Sequence, residues 1–279
     1  MRQVRPDYEG ILDGVIRELH DDPIDLLDIG DDKGEASYLD HSHFSYLRTV
    51  RDVVEIAGTL GVVPCNLRIL EIGAYLGGVS CTLARLGFTV TALEIPDYIG
   101  NERLQARFAR FGVATVSANL RDYVIPAASG TFDMVIMCET LEHLNFNPLP
   151  VMAEVNRVLG PAGQLYLSLP NLASLVNRAK LLAGHSIHNP ISDFAAQLSS
   201  DCNMIVGIHW REYAPAELRE LVEWGGFTIL NHEFFTTHAA SLPARLLYLL
   251  FPRLRGNQTI VARKAAEVRS TFRFSPATR

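Results

Sequence analysis

The chain has 279 residues, 48% hydrophobic and 20% charged, with a formal net charge of −6. That length suits one large domain, or one domain with additions, and the balance is ordinary for a globular enzyme. A net negative chain offers no overall electrostatic case for nucleic acid, no apolar run approaches a membrane span, and MRQVRPDYEG carries no apolar signal region. Cys65, Cys81, Cys138 and Cys202 show neither close pairing nor metal-type spacing, so they read as reduced and structural, which implies a cytoplasmic protein.

In chain order, Tyr8 to His20 carries Ile11, Leu12, Val15, Ile16 and Leu19, a helical stripe. A polar loop through Asp28, Asp31, Asp32, Lys33 and Gly34 lacks the spacing of a calcium hand and reads as solvated. His41-Ser42-His43-Phe44-Ser45-Tyr46 leads into a helix up to about Leu60, closed by Gly61 and Pro64. Helices placed before a sheet in this way lie over the crevice at the strand ends. His41, His43 and Tyr46 are therefore candidate substrate-side residues, with capping and helix packing as the alternative.

Leu67 to Ser80, LRILEIGAYLGGVS, organises the rest. Leu67, Ile69, Leu70 and Ile72 read as a buried strand of a parallel sheet. The strand stops at Gly73, passes Gly77 and Gly78, and enters a helical pattern closed by Gly87. Strand, glycine turn and helix hold a nucleotide-like ligand at a helix N-terminus. The next strand, Phe88 to Leu93, ends at Glu94, roughly 20 residues beyond Gly73, the separation at which a strand-end acid reaches a ribose. A dinucleotide site needs G-x-G-x-x-G so that backbone can approach a pyrophosphate. Here Tyr75 takes the second glycine position and Glu71 precedes the turn. An acid and a ring there suit a phosphate-free, positively charged ligand, and S-adenosylmethionine fits. The missing glycine spacing disfavours a nicotinamide oxidoreductase.

Beyond Glu94, Asn101 to Phe111 reads as a helix with Leu104, Phe108 and Phe111 on one face, and Val113 to Ser117 as a short strand. Asn119 follows where an adenine-facing group would sit, able both to donate and to accept, with Asp122 and the backbone of Leu120 as alternatives. Phe132 to Cys138 is a fourth strand leading into Glu139-Thr140-Leu141-Glu142-His143-Leu144. Asn147 to Leu159 is a helix, and Gly163 to Leu169 a fifth strand closed by Pro170-Asn171.

EIGAYLGG, LEIPD, FDMVIMCETLEHL and VLGPAGQLYLSLPN, in that order, resemble the successive motifs of class I S-adenosylmethionine-dependent methyltransferases. The match covers roughly residues 65 to 171 closely, and the return through Trp224-Gly225-Gly226-Phe227 to Val261 more loosely. Tyr75 departs from it, because many relatives carry glycine there. The resemblance implies an α/β fold with a doubly wound, mostly parallel seven-stranded sheet, a Rossmann-like methyltransferase fold. Gln258 to Arg263 would be a final antiparallel strand and hairpin partner of Thr228 to Phe234. It divides the chain into N-terminal helices covering the active site (1–64), the methyltransferase domain (65–263) with a helical lid insertion (172–213), and a loose tail (264–279). It assigns the cofactor S-adenosylmethionine to Glu71, Gly73, Ala74, Tyr75, Gly77, Glu94, Ile95, Asn119, Leu120 and Glu139.

The insertion opens with a helix, Leu175 to Leu182, and returns as Gly207-Ile208-His209-Trp210-Arg211-Glu212-Tyr213, at the strand ends where the family places its acceptor. Pro215 to Glu223 is a helix. LPARLLYLLFPRL, Leu242 to Leu254, is apolar with interspersed arginines. Packing on the outer face of the sheet is the favoured reading, and a membrane surface or a second subunit is the alternative.

If the acceptor is a hydroxyl, a base near neutral pKa helps its proton leave, and His143 with Glu142 is best placed for this. Glu139, Glu142 and His143 also form an E-x-x-E-H pattern expected to share one side of a helical turn and to hold Mg²⁺ or a similar ion, with His209 or Asp201 completing the shell. The pattern is similar to that of ubiquinone-pathway O-methyltransferases. His209, Trp210, Arg211 and Tyr213, with Asn177, His185, His188, Asn189 and Asp193, offer polar groups and rings that suit a sugar or polysaccharide acceptor, and a phenol or quinone precursor is the alternative. A homodimer with no nucleic-acid partner is expected. A non-catalytic scaffold is the reading from a different class.

Overall fold

The structure, a computed structural model, describes residues 7–24, 34–196, 208–237 and 241–265. Its centre is a seven-stranded sheet ordered β3-β2-β1-β4-β5-β7-β6. The strands are β1 (Arg68–Ile72), β2 (Thr89–Glu94), β3 (Ala114–Ser117), β4 (Phe132–Cys138), β5 (Leu159–Pro170), β6 (Phe227–Phe235) and β7 (Asn257–Lys264). The first five pair in parallel, and β7 lies antiparallel between β5 and β6. The expected final antiparallel strand and its hairpin partner are thus present.

The strands alternate between two apolar clusters, as period-two side chains must. Ile69, Met134, Ile136 and Cys138 face one side. There they meet α1 (Tyr8–Asp21), α2 (Gly34–Leu60), α3 (Gly78–Arg85), α4 (Pro96–Ile99) and α5 (Glu102–Arg110). Leu70, Ile72, Val135, Met137, Leu165 and Leu167 face the other, against α6 (Pro148–Val158) and, beyond the insertion, the helix Pro215–Trp224. Leu12, Val15 and Leu19 of α1 belong to the same cluster as Ile69 and Val90. The N-terminal helices therefore share the core of the sheet.

Several elements depart from expectation. The helix before the sheet begins at Gly34, so His41 to Tyr46 lie within it and not ahead of it. Strand β5 starts at Leu159, immediately after α6, and its register against β4 shifts between Phe132 and Met134. That shift absorbs Gly160 to Gly163, where Ala162 takes a left-handed φ of 60°. The insertion holds α7 (Leu175–Leu182), α8 (Ile191–Ala196) and the return through Ile208 to Tyr213; the helix Pro215–Trp224 that follows is α9. Cys65 is exposed and Cys81 and Cys138 are buried, all three unpaired, while Cys202 and Asp201 lie outside the described residues.

The segment between β6 and β7 overturns an expectation. α10 (Leu242–Leu250) does not bury its apolar stripe on the sheet. Tyr248 is its one buried residue, while Leu242, Leu246, Leu249 and Leu250 stand exposed. The segment leaves β6 at Phe235 and enters β7 at Asn257, residues that face one another at the sheet's end.

Candidate active site

The carboxyl ends of β1, β2, β4 and β5 open on one crevice. Gly73 ends β1 with a φ of 76°, and a Cβ there would meet Thr140 Oγ1 at 2.4 Å, so only glycine lets the turn after β1 approach the turn after β4. Thr140 Oγ1 lies 3.1 Å from the Ile72 carbonyl oxygen and 3.0 Å from that of Cys138, which ties the two strand ends together. Tyr75 adopts a left-handed φ of 46°. Its ring meets Tyr38 edge-on at 4.8 Å and tilts against Tyr98 at 5.3 Å, so aromatic packing holds the strained backbone. The Tyr75 N–H donates to Glu94 Oε1 at 2.7 Å and the Ile95 N–H to Glu94 Oε2 at 3.0 Å. Each carboxylate oxygen retains a lone pair for a ribose hydroxyl. Burial pushes Glu94 up to about 7 despite these two donors.

The other expected cofactor residues divide by role. Ala74 is buried within the loop, and Gly77 caps α3. Glu71 points into the sheet face covered by α3, where Ser80 donates to its carboxyl, and burial pushes it up to about 8. Asn119 is exposed and its Oδ1 accepts from the Arg121 N–H at 3.0 Å, which leaves its amide N–H₂ as the group for an adenine edge, next to buried Leu120. Sequence reasoning missed Arg107. It is 1% exposed, and it donates to the Leu76 carbonyl in the glycine turn at 3.2 Å and to the Asp22 carbonyl after α1 at 2.6 Å. Its spacing of three from Leu104 on the apolar side of α5 was the available signal.

Beyond β4 the pattern E-x-x-E-H does not form an α-helical face. Glu139 stands in a left-handed backbone at φ 50°, and Leu141 to His143 make a tight 3₁₀ turn. The cluster comes together through the insertion instead. Among the described residues, Glu142, His143 and His209 bring ligand-capable atoms within 4.8 Å of one another. Both carboxylate oxygens of Glu142, and Oε1 of Glu139, are buried without a hydrogen-bond donor. Burial raises both carboxyls above the usual range, Glu142 the further because Glu139 faces it.

The imidazole rings of His143 and His209 meet edge to face at 4.9 Å. His143 Nδ1 lies 3.0 Å from the carbonyl oxygen of Ile208, which can only accept. Nδ1 therefore carries the proton and Nε2 is bare. His209 Nδ1 lies 3.3 Å from Glu212 Oε1, and Asn177 Nδ2 holds the other Glu212 oxygen at 2.9 Å. An imidazole steered at one nitrogen by a carbonyl or carboxylate is the usual support of a metal-ligating histidine. Buried carboxylates lacking donors beside such imidazoles fit a divalent cation. Burial, reinforced by His209, lowers His143 to about 4, so at neutral pH it stands as a lone-pair donor and not a proton acceptor.

The expected acceptor-side residues fare unevenly. His43 Nε2 pairs with Asp13 Oδ1 at 2.7 Å and so faces α1. His41, two residues earlier on the same helix, is exposed on a nearly opposite side. Tyr46 is buried, and its ring occupies the space a Cβ on Gly78 would take, so it packs against the start of α3 rather than lining an acceptor pocket. Tyr213 is 3% exposed, and its carbonyl accepts from Gln258. Arg211 stacks on Tyr213 and donates to Glu217. Trp210 and His209 remain at the crevice, because the backbone N–H groups of Trp210 and Arg211 both donate to the Glu142 carbonyl.

A methyltransferase-domain family model matches residues 70–167, the span from β1 through β5. Residues 70–167 carry a methyltransferase domain. Over 109 residues the chain is 32% identical to a ubiquinone biosynthesis O-methyltransferase of Xanthomonas axonopodis pv. citri, a stretch covering 39% of this chain and 45% of that protein. The namesake protein of Xanthomonas oryzae pv. oryzae is 32% identical over 105 residues, 37% and 43% of the two chains. The chain thus spans less than half the length of the curated relatives it matches. Among solved structures, magnesium protoporphyrin IX methyltransferase from Synechocystis PCC 6803, with bound S-adenosylhomocysteine, superposes with a TM-score of 0.52 at 17% identity, over 85% of this chain and 90% of that one. An S-adenosylmethionine-dependent methyltransferase from Mesorhizobium loti gives 0.51 at 16% identity, over 79% and 98%. At such identities the structural likeness concerns the fold of the methyltransferase domain.

Proposed function

We propose that the protein is an S-adenosylmethionine-dependent O-methyltransferase acting on a small molecule with adjacent hydroxyls, with a divalent cation held by Glu142, His143 and His209 and flanked by Glu139. The observation that carries this reading is the donor set. Three carboxyl oxygens buried without a donor, both of Glu142 and Oε1 of Glu139, stand beside two imidazoles whose Nδ1 atoms are already engaged. A cation bound there would draw a hydroxyl toward deprotonation at neutral pH. The printed names of the partial relatives support oxygen as the methylated atom.

The chain's own residues supply positioning. Glu94 and the glycine turn grip the ribose end of the donor, and the Ile208–Tyr213 return lies over Glu142 and excludes water from the reacting atoms. In-line methyl transfer needs little more than alignment and desolvation. His143 serves as a ligand in this scheme instead of the base expected from sequence, because its bare Nε2 belongs to a neutral ring held away from protonation.

A catechol-like acceptor on an apolar body is favoured over an oligosaccharide. Tyr213 and Arg211, two of the groups suited to sugar recognition, are spent on internal contacts. The insertion also exposes Ile191. Incubating the purified protein with labelled S-adenosylmethionine and a panel of catechols, monophenols and oligosaccharides tests this. Transfer to catechols that a chelator abolishes and Mg²⁺ restores is expected. Transfer to oligosaccharides alone would overturn the acceptor, chelator-resistant turnover would overturn the metal, and failure to bind S-adenosylhomocysteine would favour the scaffold.

A further inference from the structure

The outer surface at the crevice end of the sheet has a feature that methyl transfer does not use. The α10 segment joins Phe235 of β6 to Asn257 of β7, and Asn257 pairs on its other side with Pro170, the last residue of β5. Helix α10 therefore stands at the same end of the sheet as the crevice. So does α7, which follows β5 directly.

On α10, Leu242, Leu246, Leu249 and Leu250 follow the i, i+4, i+7, i+8 rhythm of a single face and are 57–75% exposed, and Phe251 continues them at 56%. This face is presented rather than frayed. Tyr248 anchors the opposite side of the helix. Arg255 Nη1 donates to the Phe234 carbonyl at 2.8 Å. Asn171, the first residue after β5, donates through Nδ2 to the carbonyls of Arg253 and Arg255 at 2.8 and 2.9 Å. The stem of the apolar helix is thereby bolted to the root of the insertion.

Charge identifies the occupant. In a chain of net charge −6, no acid occurs between Glu233 and Glu267, while Arg245 and Arg253 stand exposed on the α10 segment. The first part of the insertion repeats the composition: no acid occurs between Glu154 and Asp193, and α7 carries Arg178 and Lys180 beside Val176, Leu181 and Leu182, the last 90% exposed. The core of a protein–protein interface is depleted of charge and its rim is polar, with Arg enriched and Lys depleted relative to the rest of the surface. An apolar stripe on a segment that carries cations and no acid is the pattern of a helix lying in the plane of an anionic lipid surface.

We propose that α10, with α7 as a second arm, seats the protein on an anionic membrane surface, with the mouth of the crevice turned toward the lipid. Neither helix crosses a bilayer, and among the described residues no helix is long and apolar enough to do so. The proposal does not depend on the choice of acceptor.

The test uses the full chain in flotation assays with phosphatidylcholine vesicles and with vesicles containing about one third phosphatidylglycerol. The wild type is expected to partition onto the phosphatidylglycerol vesicles at least about tenfold better than onto phosphatidylcholine alone, and to release at high salt. L246E/L249E/L250E is expected to lose at least about tenfold of that binding. R245Q/R253Q is expected to lose the preference for anionic lipid. L181E/L182E tests the second arm in the same way. Unchanged melting temperature and unchanged S-adenosylhomocysteine affinity show that the variants keep the fold and the donor site. Equal vesicle binding by wild type and the α10 variants overturns the proposal, as does absence of wild-type binding. Sedimentation velocity showing a wild-type dimer that L246E/L249E/L250E splits would assign the face to a second copy and also overturn it.

Discussion

The Nδ1 atom of His143 sits 3.0 Å from the carbonyl oxygen of Ile208, 65 positions along the chain. Together with the Trp210 and Arg211 N–H groups that donate to the Glu142 carbonyl, this bond joins the turn after β4 to the return of the insertion, and it fixes which imidazole nitrogen is bare. It also brings His209, the next residue, into edge-to-face contact with His143.

If Glu142 is a ligand, removing its charge harms metal binding and not folding. A buried carboxyl without donors opposes the fold until something pairs with it. Glu142→Gln is expected to leave the metal-free melting temperature unchanged or higher, while the Mg²⁺ concentration needed for half-maximal turnover rises at least about tenfold. Thermal melts and activity titrations check this, and His209→Ala should shift the same titration.

Glu94 is expected to be the largest single contributor to donor affinity. It is buried, and its two backbone hydrogen bonds hold it at the glycine turn. Glu94→Gln keeps the shape but loses a charged acceptor for ribose hydroxyls, at a cost of about 2 kcal/mol, or roughly thirtyfold in affinity. Calorimetry with S-adenosylhomocysteine measures it.

Burial also sets a pH dependence. Glu94 is pushed from 4.5 up to about 7 and Glu71 from 4.5 to about 8. Both folded values lie above the unfolded value, so the stability they allow is complete below about pH 4.5 and drains away as pH rises through 7 and 8. The cofactor-free protein should therefore melt at progressively lower temperature from about pH 5 to pH 8. Glu94→Gln should flatten the lower part of that slope. Donor affinity should run the opposite way and rise through about pH 7, because ribose hydroxyls bond best to the ionised carboxylate.

Arg107 supports the glycine turn from beneath. Arg107→Met keeps the buried stem but leaves the Leu76 carbonyl without its guanidinium donor, and the Asp22 carbonyl likewise. A loss of about 2–3 kcal/mol is expected by denaturant unfolding, together with weaker binding of S-adenosylhomocysteine. Unaltered stability would show that the turn holds itself.

Local chemistry was legible wherever it depended on neighbours in sequence. The run from Leu67 to Ser80 declares a buried strand, a glycine stop and a helix, because those conformations follow from apolar burial and from backbone that only glycine adopts cheaply. The carboxylate of Glu94 at the end of the next strand followed from the fixed length of a strand–helix–strand unit. The antiparallel β7 paired with β6 was implied by the resemblance to class I methyltransferases, and its place between β5 and β6 came from the structure.

Tertiary structure alone decided the rest. The E-x-x-E-H spacing suggested an α-helical face, yet Glu139 is left-handed and the metal-capable cluster closes through His209, supplied by a segment far along the chain. His43 looked like an acceptor-side residue until Asp13 of α1 claimed it, and Tyr213 until the second apolar cluster buried it. Helix α10 reads as a core helix by its leucines, but the pairing of Phe235 with Asn257 strands it at the crevice end, where nothing described covers its apolar face. Sequence determined which groups could form a strand, bend a turn or bind a donor, since those properties are set within a few residues. Which side chain meets which partner depended on long-range closure of the sheet and its insertion, and no local pattern encodes that.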